Sequence, residues 1–247
     1  MSVPRLVDRL RPFVDDTIAS LAKTEFRVDP IGGEQYSKAT SIVSAAYKRH
    51  GRILEEAIRT RLGDCEYFTV WHEPSFFVST VADQAITGRN ADIPNSLPIE
   101  LPYLDNGRII QIDAIVFDRR IGSVRGYEIK RANGHFDAGK KRSILKDILA
   151  LQSLLKSYVA KKGQVAALAE ARLIAYYGVM PLPAPLSIAG TEMDDHFVFP
   201  VYQYVEEVND YFRERLYDLL RREAGIELDV DPAALCDKCP LHRTGRS

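Results

Sequence analysis

The chain has little of what a secreted or membrane protein needs. Only three cysteines occur among its 247 residues, which is too few for a disulfide framework and favours a reducing compartment. No apolar run of signal-peptide type opens the chain, and no run is long enough to cross a bilayer. These absences predict a soluble, cytoplasmic protein with no membrane partner.

An excess of charge of one sign is also lacking. The chain carries 33 basic and 34 acidic residues, so its formal net charge is −1. A protein with this balance can bind nucleic acid only through a local basic patch, because affinity comes largely from neutralising phosphates. Segment 119–146 offers such an enrichment, with nine Lys or Arg and only two acidic residues.

The order of the predicted elements indicates an α/β fold. Apolar residues at helical spacing predict three long helices, over 35–62 (with Gly51 as an interruption), 138–160 and 202–223. Aromatic and β-branched runs predict five strands, over 66–71, 76–81, 108–118, 123–130 and 171–180. Residues 83–107 contain three prolines and predict a long loop. A central mixed sheet flanked by helices is the natural packing for this order.

The patterns divide the chain into three parts. Residues 1–34 form an N-terminal helical segment, in which Pro12 is expected to kink or break the helix. Residues 35–228 hold the predicted sheet and its helices. Residues 229–247 form a C-terminal tail whose main feature is a Cys-x-x-Cys motif.

The tail motif has the spacing of metal ligands. Cys236 and Cys239 are followed three residues later by His242. An iron–sulfur cluster usually needs four thiolates, so the three cysteines of this chain argue against one. Cys65 could complete a mixed site only if the tail folds back, and the alternative is a surface motif in a loose tail. Whether the tail binds a metal is left open.

Polar side chains interrupt two apolar strands that the segment 119–122 joins in hairpin style. Side chains alternate along a strand, so Glu128 and Lys130 share one face, and the hairpin brings Asp113 close to Glu128. Two carboxylates among apolar neighbours are costly unless a cation or hydrogen bonds compensate. Hard oxygen ligands of this kind suit Mg²⁺.

Asp113, followed by Glu128-Ile129-Lys130 on the next strand, resembles the PD-(D/E)xK nuclease superfamily, the fold of many restriction endonucleases. The resemblance spans roughly residues 47–178 and implies a restriction-endonuclease-like fold that hydrolyses phosphodiester bonds with Mg²⁺, which Mn²⁺ can replace. It implies metal ligation by Asp113, Glu128 and Ile129, the last through its main chain, and a lysine that orients the attacking water. Ile112 stands where the family's named proline would be.

The superfamily also places a glutamate on the helix before the sheet. The segment Gly51–Ile58, GRILEEAI, resembles the usual form, in which an apolar residue directly precedes the glutamate. That pattern selects Glu55 as the fourth catalytic residue. A helical wheel leaves Glu56 as an alternative, because the two side chains flank the apolar stripe at similar angles.

The basic residues after the motif are candidate nucleic-acid contacts. Lys140, Lys141 and Arg142 lie at the start of a predicted helix, where the helix dipole adds to the positive field, and Arg131 directly follows Lys130. The alternative is a solvated helix face.

These features predict a stand-alone, metal-dependent DNA endonuclease of restriction type, since no Walker A motif indicates a motor. Cleavage of both strands would favour a homodimer. The alternatives are an end-processing exonuclease with the same chemistry and a nucleic-acid-binding protein with a nuclease-like fold but no turnover. The target sequence and the choice between DNA and RNA remain open.

Overall fold

The structure, a computed structural model, describes residues 4–87 and 99–226. The helices are α1 (Leu6–Ala22), α2 (Gly33–Leu62), α3 (Thr80–Thr87), α4 (Ala138–Lys161), α5 (Met193–Phe197) and α6 (Tyr202–Ala224), with a 3₁₀ turn at Gly190–Glu192. The strands are β1 (Phe68–Val78), β2 (Arg108–Asp118), β3 (Ser123–Lys130), β4 (Leu168–Ala175) and β5 (Ser187–Ala189). No helix in these ranges is both long and apolar enough to cross a membrane.

The five strands form one mixed sheet in the order β1-β2-β3-β4-β5. β1, β2 and β3 pair in antiparallel fashion, whereas β3, β4 and β5 run parallel to one another. The change from antiparallel to parallel pairing occurs after β3. Helix α4 carries the chain back to the end of the sheet at which β3 begins, so β4 starts there and runs in the same direction as β3. The predicted α/β class and mixed sheet are confirmed.

Helices cover both faces of the sheet and enclose two apolar cores. Residues of α1, α2, α5 and α6 pack against one face, and residues of α3 and α4 pack against the other. The N-terminal helix therefore shares its core with α2 and α6. α1 continues through Pro12 to Ala22, and α2 continues through Gly51. The sequence predicted an interruption at each of these residues, but neither residue ends its helix.

The edge of the sheet differs from the prediction. The runs over 66–71 and 76–81 are one strand, β1, whose pairing with β2 shifts register on each side of Glu73. Pro74, which has no N–H to donate, is tolerated because β1 is an edge strand with bulges at this point.

The predictions differ from the structure at three further places. The predicted loop over 83–107 begins inside α3, β4 starts and ends earlier than predicted, and β5 was missed. The cysteines of the tail lie outside the described residues.

Gly126 lets α4 approach the sheet closely. A Cβ atom at Gly126 would lie 2.7 Å from the Leu151 side chain, so this buried leucine would have to move. Gly126 belongs to the same face of β3 as Glu128 and Lys130. The close contact therefore sets how near α4 lies to those two side chains.

We expect opposite effects from alanine at two glycines. Gly126→Ala should lower the free energy of unfolding by about 1–3 kcal/mol, because the added methyl overpacks the contact with Leu151. Gly51→Ala should raise it by about 0.5–1 kcal/mol, because the site has open space and alanine favours the helix. Urea denaturation of the two variants measures both effects. A Gly126→Ala protein as stable as the wild type would contradict the tight contact.

Candidate functional site

The site lies where β2 and β3 part. Their pairing begins at Asp118 and Ser123, next to the turn, and ends at Ala114 and Tyr127. The next pair would be Asp113 and Glu128, but here the Asp113 side chain replaces the main-chain ladder. Its Oδ2 accepts a hydrogen bond from the Ile129 N–H at 2.7 Å. Asp113, 8% exposed, is therefore a buried carboxylate fixed at the fork between two strands.

Lys130 joins the two carboxylates that the sequence placed together. Its Nζ lies 2.6 Å from Glu128 Oε1 and 3.7 Å from Asp113 Oδ2. Burial raises the pKa of Glu128, and the charge of Asp113 adds to this effect while Lys130 opposes it. Burial alone would lower the pKa of Lys130, but the charges of Glu128 and Asp113 outweigh it, so that pKa is raised. Lys130 is therefore a cation at neutral pH.

The cluster opens into a cavity of about 330 Å³ between the sheet and α4. Asp113, Glu128 and Lys130 line it together with Ile144, Asp147 and Ile148 of α4. The Lys130 side chain is 38% exposed and that of Glu128 is 28% exposed. The ion pair is therefore open to a ligand of modest size.

The structure distinguishes between the two adjacent glutamates of α2. Burial raises the pKa of Glu55 to about 7; the charges of Asp113 and Glu128 add to the shift, and Lys130 opposes it. Glu56 instead bonds to Arg59 and Thr60 of its own helix, at 2.6 and 3.3 Å. Glu55 thus lies within the electrostatic reach of the cluster, as the family pattern selected. A helical wheel could not decide this because the answer depends on where the sheet lies.

Arg59 is a member of the site that the sequence did not reveal. Its guanidinium donates to the main-chain carbonyl of Asp113 at 2.7 Å and to Glu56 at 2.6 Å. Arg59 therefore ties α2 to the fork. Its position four residues after Glu55, on the same side of a helix, was the available signal.

The rim of the cavity carries a second group of charges that sequence reasoning missed. Arg108 donates to Asp147 at 2.6 Å and to Asp83 at 2.7 Å, and Lys146 lies 2.5 Å from Asp83. These residues come from α3, β2 and α4 and are far apart in sequence. The group connects α4 to the open end of the hairpin.

The basic segment 119–146 is not one continuous patch. Arg119, Arg120 and Arg125 lie toward the turn end of the hairpin. Arg119 and Arg120 donate hydrogen bonds to Glu66 and Asp118, and Arg125 forms a longer ion pair with Glu170, at 3.7 Å. Arg131 lies on the α2 side of the sheet, between Tyr47 and Tyr177. The basic patch near the cavity is therefore smaller than the sequence suggested.

Lys140, Lys141 and Arg142 are exposed on the first turns of α4, the helix that lines the cavity. Asp137 begins this helix, since its side chain accepts from the Lys140 N–H at 2.8 Å. The three side chains can meet a phosphate approaching the cavity from this end, and their role in binding stays a prediction.

The oxygen atoms at the fork suit a small, hard cation. In the two described ranges, no group of three or more His, Cys, Asp or Glu side chains is arranged to hold a metal ion. Mg²⁺ commonly needs only one or two carboxylates, with water and phosphate oxygens completing its shell. Lys130 O pairs with β4 through the Tyr176 N–H, so main-chain alternation turns Ile129 toward the fork. Asp113, Glu128 and the Ile129 carbonyl therefore fit Mg²⁺.

No protein-family model matches the chain, and searches of curated proteins and of solved structures find no match either. The function of the chain is therefore inferred from the residues of the fork.

We expect Glu55 to destabilise the metal-free protein at high pH. Its contribution to stability is fully present below the ordinary pKa of 4.5 and is lost as the pH rises through about 7, because the folded state then buries the ionised form. Glu55→Gln should therefore raise the free energy of unfolding at pH 8 by about 1 kcal/mol, a value discounted because the side chain is partly exposed. The variant should gain little at pH 5.

Urea denaturation in EDTA at both pH values measures the effect, with Glu56→Gln as the matched control on the same helix. A gain of the same size at pH 5 and pH 8 would contradict the electrostatic origin.

Proposed function

We propose that the protein is a Mg²⁺-dependent nuclease of the PD-(D/E)xK superfamily that hydrolyses DNA as an endonuclease of restriction type. One observation carries the proposal: Asp113, Glu128 and Lys130 meet at the fork between β2 and β3, on the wall of an open cavity. A purely structural ion pair needs one carboxylate for one lysine. Here two carboxylates and the nearby Glu55 act on Lys130, while Arg59 is already paired with Glu56, and this excess of negative charge favours a cation as the missing partner.

Each residue of the fork has a distinct part in this proposal. Asp113, Glu128 and the Ile129 carbonyl would hold Mg²⁺, and Glu55 is near enough to contribute through the field or through water. The chemistry expected of the bound ion is to polarise the phosphate and to lower the pKa of a water molecule. Lys130 is charged at neutral pH, so it stabilises the negative charge that develops on the attacked phosphate and orients the attacking water.

The surroundings of the fork support a nucleic-acid substrate. Lys140, Lys141 and Arg142 are exposed at the N-terminal end of α4, where the positive end of the helix dipole favours an anion. A strand whose phosphate enters the cavity would pass this patch. Cleavage of both strands of a duplex would need two such sites, and a homodimer of the chain would supply them.

We expect the purified protein to nick or linearise plasmid DNA with Mg²⁺ or Mn²⁺. Asp113→Asn and Lys130→Ala should each reduce the rate at least about 100-fold, because each removes a group that acts on the transition state. Lys23→Ala, at an exposed lysine after α1, is the control and should cleave like the wild type.

Circular and linear substrates should be tested side by side. Cleavage of linear DNA alone would point to the end-processing alternative. DNA binding without metal-dependent cleavage, or equal cleavage by the wild type and both variants, would overturn the catalytic assignment.

Binding of the metal can be measured without activity. At five times its dissociation constant, Mn²⁺ should stabilise the protein by about 1 kcal/mol, which raises Tm by about 2–4 °C for a chain of this size. Asp113→Asn should remove this shift, whereas Lys23→Ala should keep it. The measurement is a thermal melt of each protein in EDTA and in Mn²⁺. An equal rise in Tm for the Asp113→Asn protein would show that the ion binds elsewhere.

A further inference from the structure

A second cavity, of about 290 Å³, lies between α2 and α6, on the face of the sheet opposite α4. This size is at the lower end of ligand pockets, so it suits a small planar group better than a large cofactor. Its walls are apolar and aromatic, but two arginines also face it. The residues that matter for its chemistry are Tyr47, His50, Arg131, Tyr177, Phe212 and Arg213.

One ring nitrogen of His50, a residue that lines this pocket, has no hydrogen-bond partner among the described residues. His50 Nε2 lies 2.9 Å from Asn209 Oδ1. The Asn209 amide is held in one orientation, because its Nδ2 donates to Glu206 at 2.6 Å and to the Tyr176 hydroxyl at 3.2 Å. Asn209 Oδ1 must therefore accept, and His50 Nε2 carries the proton.

The other ring nitrogen, His50 Nδ1, is then a bare acceptor. His50 is 5% exposed, and Nδ1 has no hydrogen-bond partner in the part of the chain that the structure describes. Burial lowers the pKa of His50 to about 4, so the ring stays neutral and cannot turn Nδ1 into a donor. A buried acceptor without a partner is costly, and a ligand that brings an N–H or O–H group would remove the cost.

The mouth of the pocket combines flat rings with positive charge. The Arg131 guanidinium lies 4.6 Å from the ring centroid of Tyr47 and 5.7 Å from that of Tyr177. These two tyrosines are 53% and 44% exposed, although both are aromatic. Exposed rings next to arginine form the kind of surface on which nucleobases stack and which phosphates approach.

We infer that this pocket binds one unpaired nucleobase of the nucleic-acid strand that enters the fork, an inference that rests on the proposed nuclease function. The base would take the place of the Arg131 guanidinium at the rings of Tyr47 and Tyr177 and donate an N–H of its Watson–Crick edge to His50 Nδ1. Arg131 and Arg213 would meet the adjoining phosphate. A duplex hides that edge, so the substrate is single-stranded or locally opened next to the cleavage site.

The position of the pocket relative to the fork supports this inference. Arg131 directly follows Lys130, and His50 precedes Glu55 by five residues on α2. The end of β3 and helix α2 therefore connect the pocket to the fork, although the two cavities lie on opposite faces of the sheet.

The test is equilibrium binding of a labelled 12-nucleotide single strand to the full chain, in EDTA at fixed salt. Tyr47→Ala, at an exposed ring, and His50→Phe, which keeps the ring but removes the acceptor, should each weaken binding at least about fivefold. Tyr36→Ala, at another exposed tyrosine of α2, is the matched control and should bind like the wild type. A second series uses strands with a single abasic position, moved along the sequence.

One abasic position should weaken binding to the wild type, and on that strand the Tyr47→Ala and His50→Phe proteins should bind as the wild type does. A variant that has merely lost its fold would bind both strands poorly. Equal effects of the variants on intact and abasic strands would overturn the inference, and so would binding of dAMP without binding of the strand. Binding in EDTA does not require cleavage, so a failure here and a failure of the nuclease proposal are separate results.

Discussion

The hydrogen bond from the Ile129 N–H to the Asp113 carboxylate is the constraint on which the site depends. It replaces the ladder bond that β2 and β3 would otherwise make, so the strands part while the polar groups at the opening stay paired. The same bond compensates part of the free energy that is lost when the Asp113 carboxylate is removed from water. Arg59 holds the main chain of Asp113 from the side of α2, so three elements meet at one residue.

The fork holds an excess of negative charge at positions that are largely shielded from solvent. Asp113, Glu128 and Glu55 outnumber Lys130, and burial raises the pKa of both glutamates. The folded protein must bear this repulsion, and functional sites commonly sacrifice stability for function. The apolar cores on both faces of the sheet offset the cost through buried side chains.

Much of the fold follows from the sequence because its strongest patterns are long. The predicted helices over 35–62, 138–160 and 202–223 and the hairpin of β2 and β3 agree with the structure to within a few residues. β1 was divided in two because its bulges break the alternation of the side chains. β5, only three residues long, leaves no periodic signal.

The site could be predicted only where it is local. Strand alternation and the hairpin place Asp113, Glu128 and Lys130 together, which needs no knowledge of the rest of the chain. The Arg108 group and the pocket at His50 depend on how helices pack across the sheet, and no local pattern in the sequence indicates that packing. Arg59 had one local signal, its position one helical turn after Glu55. The basic segment is not one patch because β3 separates Arg120 and Arg125, which pair near the turn, from Arg131 beyond the opposite end of the strand.

α2 carries Glu55 at the fork and His50 in the second pocket, and it is helical without interruption between them. The helix therefore fixes the distance between these two positions through its rise of about 1.5 Å per residue. One residue inserted between the two positions would turn one side chain by about 100° relative to the other. The two sites can therefore diverge in chemistry by substitution, but the distance and angle between them can change only if the helix itself is rebuilt.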